Sequence, residues 1–409
     1  MHAPRRGLVD QLSCCRSGPI SLRFIVLKLL GLVMTTSVMA SEPVYLLLDA
    51  EYGNKTSTSA QSIERGIRIA MGEINAKGGV LGRRFELKTS DNKGITAIGV
   101  DNFRVAGADP TILGVFGGKF SPTYIEVAPI ANELKTLLLN PWGSADAITD
   151  MSIKPSWVFR LSLKDSWAGP AFIAEAVKSG HQKIGVITPN TAWGRSNVAA
   201  IDKAASAAGV TVIGNKWYHW GDKTLIAHFD SLVSHGAQTI IFVGNEAEGA
   251  ILTREVAASR HRNVPILAHW GITGGAFERM VGEALHSIDL KVIQTYSFYG
   301  PPNPVKTRVL AALKERFALA TVEAIESPVG IAHAYDLTYA VAYAIEKAGS
   351  VEPAAVRDAL ERLPPWQGLV RNYDPAFTPT DHDALRPDNV FFARYVRGKG
   401  IVPVGVDPN

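Results

Sequence analysis

Two serines, each following a glycine-containing turn at the carboxyl end of an apolar run, are the residues of this 409-residue chain best suited to hold an anion. Ser121 closes the stretch Phe116-Gly-Gly-Lys-Phe-Ser121-Pro-Thr and stands directly before a helical pattern, where free backbone N–H groups favour negative charge. Ser144 closes Leu139-Asn-Pro-Trp142-Gly143-Ser144 in the same way. Hydroxyl and N–H donors from two such loops on neighbouring strands can grip one carboxylate. Read locally, Ser121 is equally an ordinary helix cap, and both roles stay open at this point. A phosphate loop is excluded, because Leu113 stands where its first glycine belongs and Phe120 where its Ser or Thr belongs. No Gly-x-Ser-x-Gly, His-Glu-x-x-His or dinucleotide fingerprint occurs, and the histidines lack metal-ligand spacing. We therefore expect no catalytic residues, no metal and no cofactor.

The elements that must position these loops alternate almost throughout. Val44–Leu48, Ile112–Phe116, Thr136–Leu139, Lys183–Thr188, Val210–Ile213, Thr239–Val243 and Val264–Ala268 read as buried strands. Between them, Ile125–Leu134, Gly169–Ser179, Ser196–Ala208, Leu225–His235 and Glu248–Ser259 read as helices, followed by Val305–Leu319, Ile331–Ala348 and Pro353–Leu363. Asn389–Arg397 and Gly400–Val404 flank Gly398-Lys-Gly and predict a hairpin. Such alternation predicts an α/β fold with mostly parallel, doubly wound sheets, whose ligands sit beyond the carboxyl ends of the strands. The length exceeds one typical core, so two lobes are expected. His382-Asp383 reads as a surface turn.

The N-terminus reads as an export leader. Basic Arg5, Arg6, Arg16 and Arg23 precede an apolar run from Phe24 to Met34, then small residues ending at Ala40, where cleavage is expected. The net charge of +4 belongs entirely to these residues, so the remaining chain is formally neutral and no nucleic-acid partner is expected. Cys14 and Cys15 also fall in the leader, which leaves a mature chain of about 369 residues without thiols, long enough to need no disulfide.

Ile63, Ile67, Ala70, Met71 and Ile74 recur at helical spacing, and Gly78 and Gly79 end that helix. Arg65-Gly66, followed by Glu73-Ile-Asn-Ala-Lys-Gly-Gly-Val-Leu-Gly82, resembles the first helix of the leucine/isoleucine/valine-binding family of periplasmic solute receptors. The resemblance spans nearly the whole mature chain and thins after about Ala268. It implies a type I periplasmic-binding-protein fold of two Rossmann-like lobes joined by a three-strand hinge. The expected division is 41–163 with 295–390, and 164–294 with 391–409.

In that family the two serine loops hold the ligand's carboxylate, so the resemblance gives Ser121, Gly143 and Ser144 that role, and the backbone carbonyl of Trp142 receives a ligand amine. Trp193, in Thr188-Pro-Asn-Thr-Ala-Trp193-Gly194, falls at the aromatic position covering the ligand, and Asn245 at a site commonly tyrosine. The family's acidic partner for an α-ammonium falls on Trp270 in Ala268-His-Trp270-Gly271. Either Glu51, Asp165 or Glu246 replaces it, or the ligand carries no ammonium. Trp142, Trp167, Trp193 and Trp270 suggest a flat or aromatic ligand, unless only one or two of them face the cleft. The resemblance further implies a monomeric, periplasmic, solute-binding partner of an ABC permease in the inner membrane. A sensing module paired with a signalling receptor is the alternative, and an enzyme ranks behind both.

Overall fold

The computed structural model describes residues 42–408; the leader, with Cys14, Cys15 and Ala40, lies outside them. The chain first builds a parallel sheet from Val44–Ala50 (β1), Phe85–Asp91 (β2), Ile112–Gly117 (β3), Leu137–Asn140 (β4) and Val158–Arg160 (β5), in the order β2-β1-β3-β4-β5. Helices Ser59–Ala76 (α1), Thr96–Ala108 (α2) and Ser121–Leu134 (α3) make the crossovers. Runs such as Leu137-Leu-Leu-Asn140 are buried along their whole length, as strands covered on both faces must be.

A second sheet follows. Asp165–Lys178 (α4) leads to Lys183–Pro189 (β6), Ala192–Ala208 (α5), Thr211–Tyr218 (β7), Ile226–Ser234 (α6) and Thr239–Phe242 (β8). Glu246–Ala258 (α7), Ile266–Ala268 (β9), Phe277–Val281 (α8) and Leu290–Gln294 (β10) continue it. Pro304–Phe317 (α9) and Pro328–Ala348 (α10) then return to pack on α1, followed by Pro353–Leu360 (α11) and a short ribbon of Trp366–Gln367 (β11) with Asn372–Tyr373 (β12). The expected hairpin, Phe391–Val396 (β13) and Gly400–Pro403 (β14), closes the second sheet in the order β14-β13-β10-β9-β8-β6-β7. α10 is apolar on nearly every face and correspondingly buried on nearly every face.

The block that resembled the receptor family belongs to the scaffold. Gly78, Gly79 and Gly82 adopt φ of +107°, +80° and +73°, and a Cβ on Gly79 would lie 1.9 Å from the Arg83 carbonyl oxygen. Glu73 accepts hydrogen bonds from Tyr335 and Tyr339, tying α1 to α10. Asp336 likewise acts structurally, accepting from the backbone N–H groups of Leu369 and Val370 and from the Tyr373 hydroxyl.

One sequence expectation is overturned here. His382 and Asp383 are buried, not a surface turn. β5 would otherwise expose an unpaired edge, and residues 382–384 supply its backbone partners: Arg160 N–H donates to His382 O at 2.8 Å and Ala384 N–H to Arg160 O at 2.9 Å. Asp383 then neutralises the fully buried Arg160 at 2.6 Å and Lys164 at 2.8 Å. Burial alone would raise the Asp383 carboxyl, but the two cations outweigh it and bring its pKa down to about 2.

Candidate functional site

Loops following β3, β4, β6, β7, β8 and β9 converge on one small cavity at the carboxyl ends of both sheets, where an α/β fold binds ligands. Of the residues proposed from sequence, Ser121, Trp142, Ser144, Trp193, Asn245 and Trp270 line it. The free volume is about 10 Å³, room for about one water molecule. The indole of Trp270 packs against those of Trp142, at 5.7 Å between centroids, and against His333 at 5.6 Å. Trp193 Nε1 donates to Ser144 Oγ at 3.0 Å, joining a loop of the first sheet to the first turn of α5 in the second.

The serine loops meet directly. Ser121 Oγ accepts from the backbone N–H groups of Ser144 at 3.1 Å and Ala145 at 3.3 Å, so two N–H donors converge on one hydroxyl oxygen. Gly143 is one step removed: its N–H donates to Asn140 Oδ1 at 2.8 Å and its carbonyl accepts from Asn140 Nδ2 at 2.6 Å, which fixes the turn. The Trp142 carbonyl accepts from Ser162 Oγ at 2.6 Å.

The three acids nominated for an ammonium do not line the cavity. Glu51 lies beneath the β3 loop, accepting from Ser59 Oγ and, at 3.1 Å, from the Lys119 N–H. Glu246 pairs with Lys119 Nζ at 2.6 Å and accepts from Thr56 Oγ1 at 3.1 Å. Asp165, at the start of α4, is fully buried behind Ser144, with His269 Nε2 at 3.4 Å and, among the described residues, no hydrogen bond to either carboxylate oxygen. Trp167 is half-buried away from the cavity.

Five lining residues were not among the sequence candidates: Lys119, Phe120, Pro122, Trp220 and Gly271. Phe120 and Trp220 meet edge to face at 5.2 Å, closing the cavity from opposite sheets. A glycine pair followed by lysine at a strand end was visible in the sequence, but a tryptophan beyond β7 carried no local signal.

Beneath Trp270, His333 bonds the Pro141 carbonyl through Nδ1 at 2.9 Å and Thr295 Oγ1 through Nε2 at 3.0 Å. Burial lowers its pKa to about 4, only partly offset by the Pro141 contact. The folded state thus keeps it neutral after the unfolded chain has begun to protonate near 6.5. Stability is complete above that value and falls as pH drops from 6.5 towards 4, by up to roughly 3 kcal/mol for this one group. Urea titrations at several pH values should show that fall, and His333→Asn should flatten it. An equal slope in the variant would assign the effect to other groups.

The family described as "Periplasmic binding protein" matches residues 52–399. The chain belongs to it. A relative, the Leu/Ile/Val-binding protein BraC3 of Rhizobium johnstonii, is 26% identical over 322 residues, covering 76% of this receptor and 80% of its own length. Among solved structures, the periplasmic binding protein type 1 from Bordetella pertussis Tohama I superposes with a TM-score of 0.78 at 21% identity, covering 88% of this chain and 99% of that one. A solute-binding protein of an ABC transporter from R. palustris, in complex with benzoate, gives 0.74 at 16% identity, with 89% and 96% covered. The fold is therefore the two-lobed type I periplasmic-binding fold, and the cavity of this periplasmic binding protein lies where its two sheets face each other. No helix among the described residues is long and apolar enough to cross a membrane.

Proposed function

We propose that the chain is the exported solute-binding receptor of an ABC importer and takes a small carboxylate-bearing solute between its lobes. The observation that carries this reading is the polarity of what the cavity leaves unpaired. Among the described residues, its lining includes two buried indole N–H donors without acceptors, Trp142 Nε1 and Trp220 Nε1. Both are donors, and both await an acceptor. At one end Ser121 Oγ accepts from the Ser144 and Ala145 N–H groups and Ser144 Oγ from Trp193 Nε1, so each hydroxyl keeps its own proton to donate. A carboxylate meets all of these, while the tryptophan faces suit a flat apolar body. We further infer that the leader is removed near Ala40, that the receptor acts as a monomer, and that the solute closes lobes 41–163 with 295–390 onto 164–294 with 391–409. Binding rather than catalysis is its task.

A thermal-shift panel of leucine, phenylalanine, benzoate and benzamide tests this, since a ligand raises the melting temperature by mass action. Carboxylates should shift it and benzamide should not; an equal shift by benzamide overturns the carboxylate grip. Ser121→Ala and Ser144→Ala should each weaken the best carboxylate by about tenfold or more, the range for hydrogen bonds to a charged group. Unchanged affinity in both would remove the serines from the site. Deletion of the protein should abolish uptake of that solute; intact uptake with a lost transcriptional response would favour a sensing partner.

A further inference from the structure

The inner cavity has a larger neighbour. Phe120, Trp220 and Asn245 border both it and an outer cavity of about 280 Å³, so the edge-to-face ring pair partitions the two spaces. The outer cavity lies between the sheets. Thr56 and Lys93, from the loops after β1 and β2, stand on one side; Glu246 and Glu248, in the first turn of α7, stand on the other. Contacts hold these sides together: Glu246 pairs with Lys119 at 2.6 Å, and the Gly274 carbonyl accepts from Thr58 N–H at 2.7 Å and Ser57 Oγ at 3.0 Å. The space therefore belongs to the shut form, and in that form it approaches the size of the smaller ligand pockets.

Two buried polar side chains on its wall lack partners. Glu248 is 6% exposed; its carboxylate accepts one hydrogen bond, from the Gly221 N–H at 3.0 Å, and meets no cation among the described residues. The first turn of a helix favours that negative charge but supplies no counter-ion. Asn245, also 6% exposed, makes no side-chain hydrogen bond among the described residues. Glu246 adds no free charge, because Lys119 takes it. A free carboxylate, an amide oxygen and two aromatic rings around one space are what an organic ammonium ion needs: acceptors for its N–H groups and ring faces for its charge. Lys93 is the one opposing charge on the lining, and it is exposed at the rim, where its ammonium can turn to water.

We propose that the outer cavity is a second ligand site, for a small organic ammonium ion with Glu248 as its counter-ion. The site goes beyond the carboxylate reading above and does not rest on it. The ion enters past Lys93 and stays outside the Phe120–Trp220 partition, so the small volume of the inner cavity is no obstacle. A molecule seated there touches walls from both sheets and therefore favours the shut form.

The experiment measures binding of benzylamine, protonated at neutral pH, and of its uncharged counterpart benzyl alcohol by calorimetry. It uses the mature receptor, Glu248→Gln and Lys93→Met. Wild type should bind benzylamine about tenfold or more tightly than benzyl alcohol, the range for hydrogen bonds to a charged group. Glu248→Gln keeps an acceptor for the Gly221 N–H and should lose that preference. Lys93→Met should tighten benzylamine by about two- to threefold, because a like charge leaves the rim. Lys93 is exposed, so this second variant keeps the test decisive should Glu248→Gln fail to fold. Undetectable benzylamine binding to wild type, or equal binding of the alcohol, overturns the proposal. A preference for the amine that survives Glu248→Gln places the ion elsewhere and overturns it too. Benzylamine binding that weakens in Lys93→Met gives the rim the wrong sign for a cation site and has the same consequence.

Discussion

Arg160→Met should destabilise the receptor by about 3–5 kcal/mol, measured by urea unfolding at neutral pH. Arg160 is wholly buried, and its guanidinium is fully engaged: Nε with Asp383 at 2.6 Å, Nη1 with the Ala145 carbonyl at 2.9 Å and Nη2 with Thr149 Oγ1. Methionine fills similar space but removes the shorter of the two ion pairs, leaving the interior Asp383 carboxylate with Lys164 at 2.8 Å and the Thr149 hydroxyl at 2.9 Å. The cost is that of a buried carboxylate left short of its closest partner, together with the hydrogen bonds that Ala145 and Thr149 lose, not of the pair itself. Arg160→Met combined with Asp383→Leu should therefore recover most of the loss; an additive double variant would show that the contacts to Ala145 and Thr149 matter more than the charge. The same network sets an acid limit. With the Asp383 pKa lowered from an ordinary 3.8 to about 2, its contribution is complete above 3.8 and is lost as pH falls towards 2, amounting to roughly 2 kcal/mol. Asp383→Asn should remove that part of the acid transition.

The second large effect is expected at the cavity wall. Trp270→Ala should cost about 3–5 kcal/mol, the range for deleting a buried aromatic side chain, because Trp142 and His333 both pack on the indole and His333, held by the Pro141 carbonyl and Thr295, cannot collapse into the space. The void it leaves is flanked by aromatic rings, so added indole should restore much of the lost stability in a concentration-dependent way. Chemical unfolding with and without indole measures both quantities. A loss below about 1 kcal/mol would mean that Trp270 is a mobile lid, not a wall, and the space for a solute would then have to be sought behind it.

Much of this molecule is legible in its sequence because its signals are local. The strands over Val44–Ala50 and Leu137–Asn140 are continuous apolar runs, and the turn at Gly78 to Gly82 is written in residues that tolerate positive φ. The elements that escaped are those with weak local patterns: β5 is three residues long, and α2 buries only Gly99, Phe103 and Ala106. Within the site, Ser121, Ser144 and the three tryptophans were found because each follows a strand end, and strand ends in this architecture face the cleft.

What remained hidden depends on partners distant along the chain. Lys119 and Glu246 are 127 residues apart, and Arg160 and Asp383 are 223 apart. Neither pair leaves a periodic or compositional trace, since any acid can neutralise any base that folding brings beside it. His382-Asp383 has the composition of an exposed turn and becomes buried only because an edge strand needs partners and Arg160 needs an anion. The sequence by itself determined the two-lobed α/β scaffold, the family and the loops that face the cleft, because hydrophobic period and turn chemistry act over a few residues. Only the tertiary structure decided which acid is committed to which base, and so that the inner cavity presents donors and one lysine rather than a carboxylate. Charge pairing is settled by distances between segments far apart along the chain, and those exist only once the sheets are built.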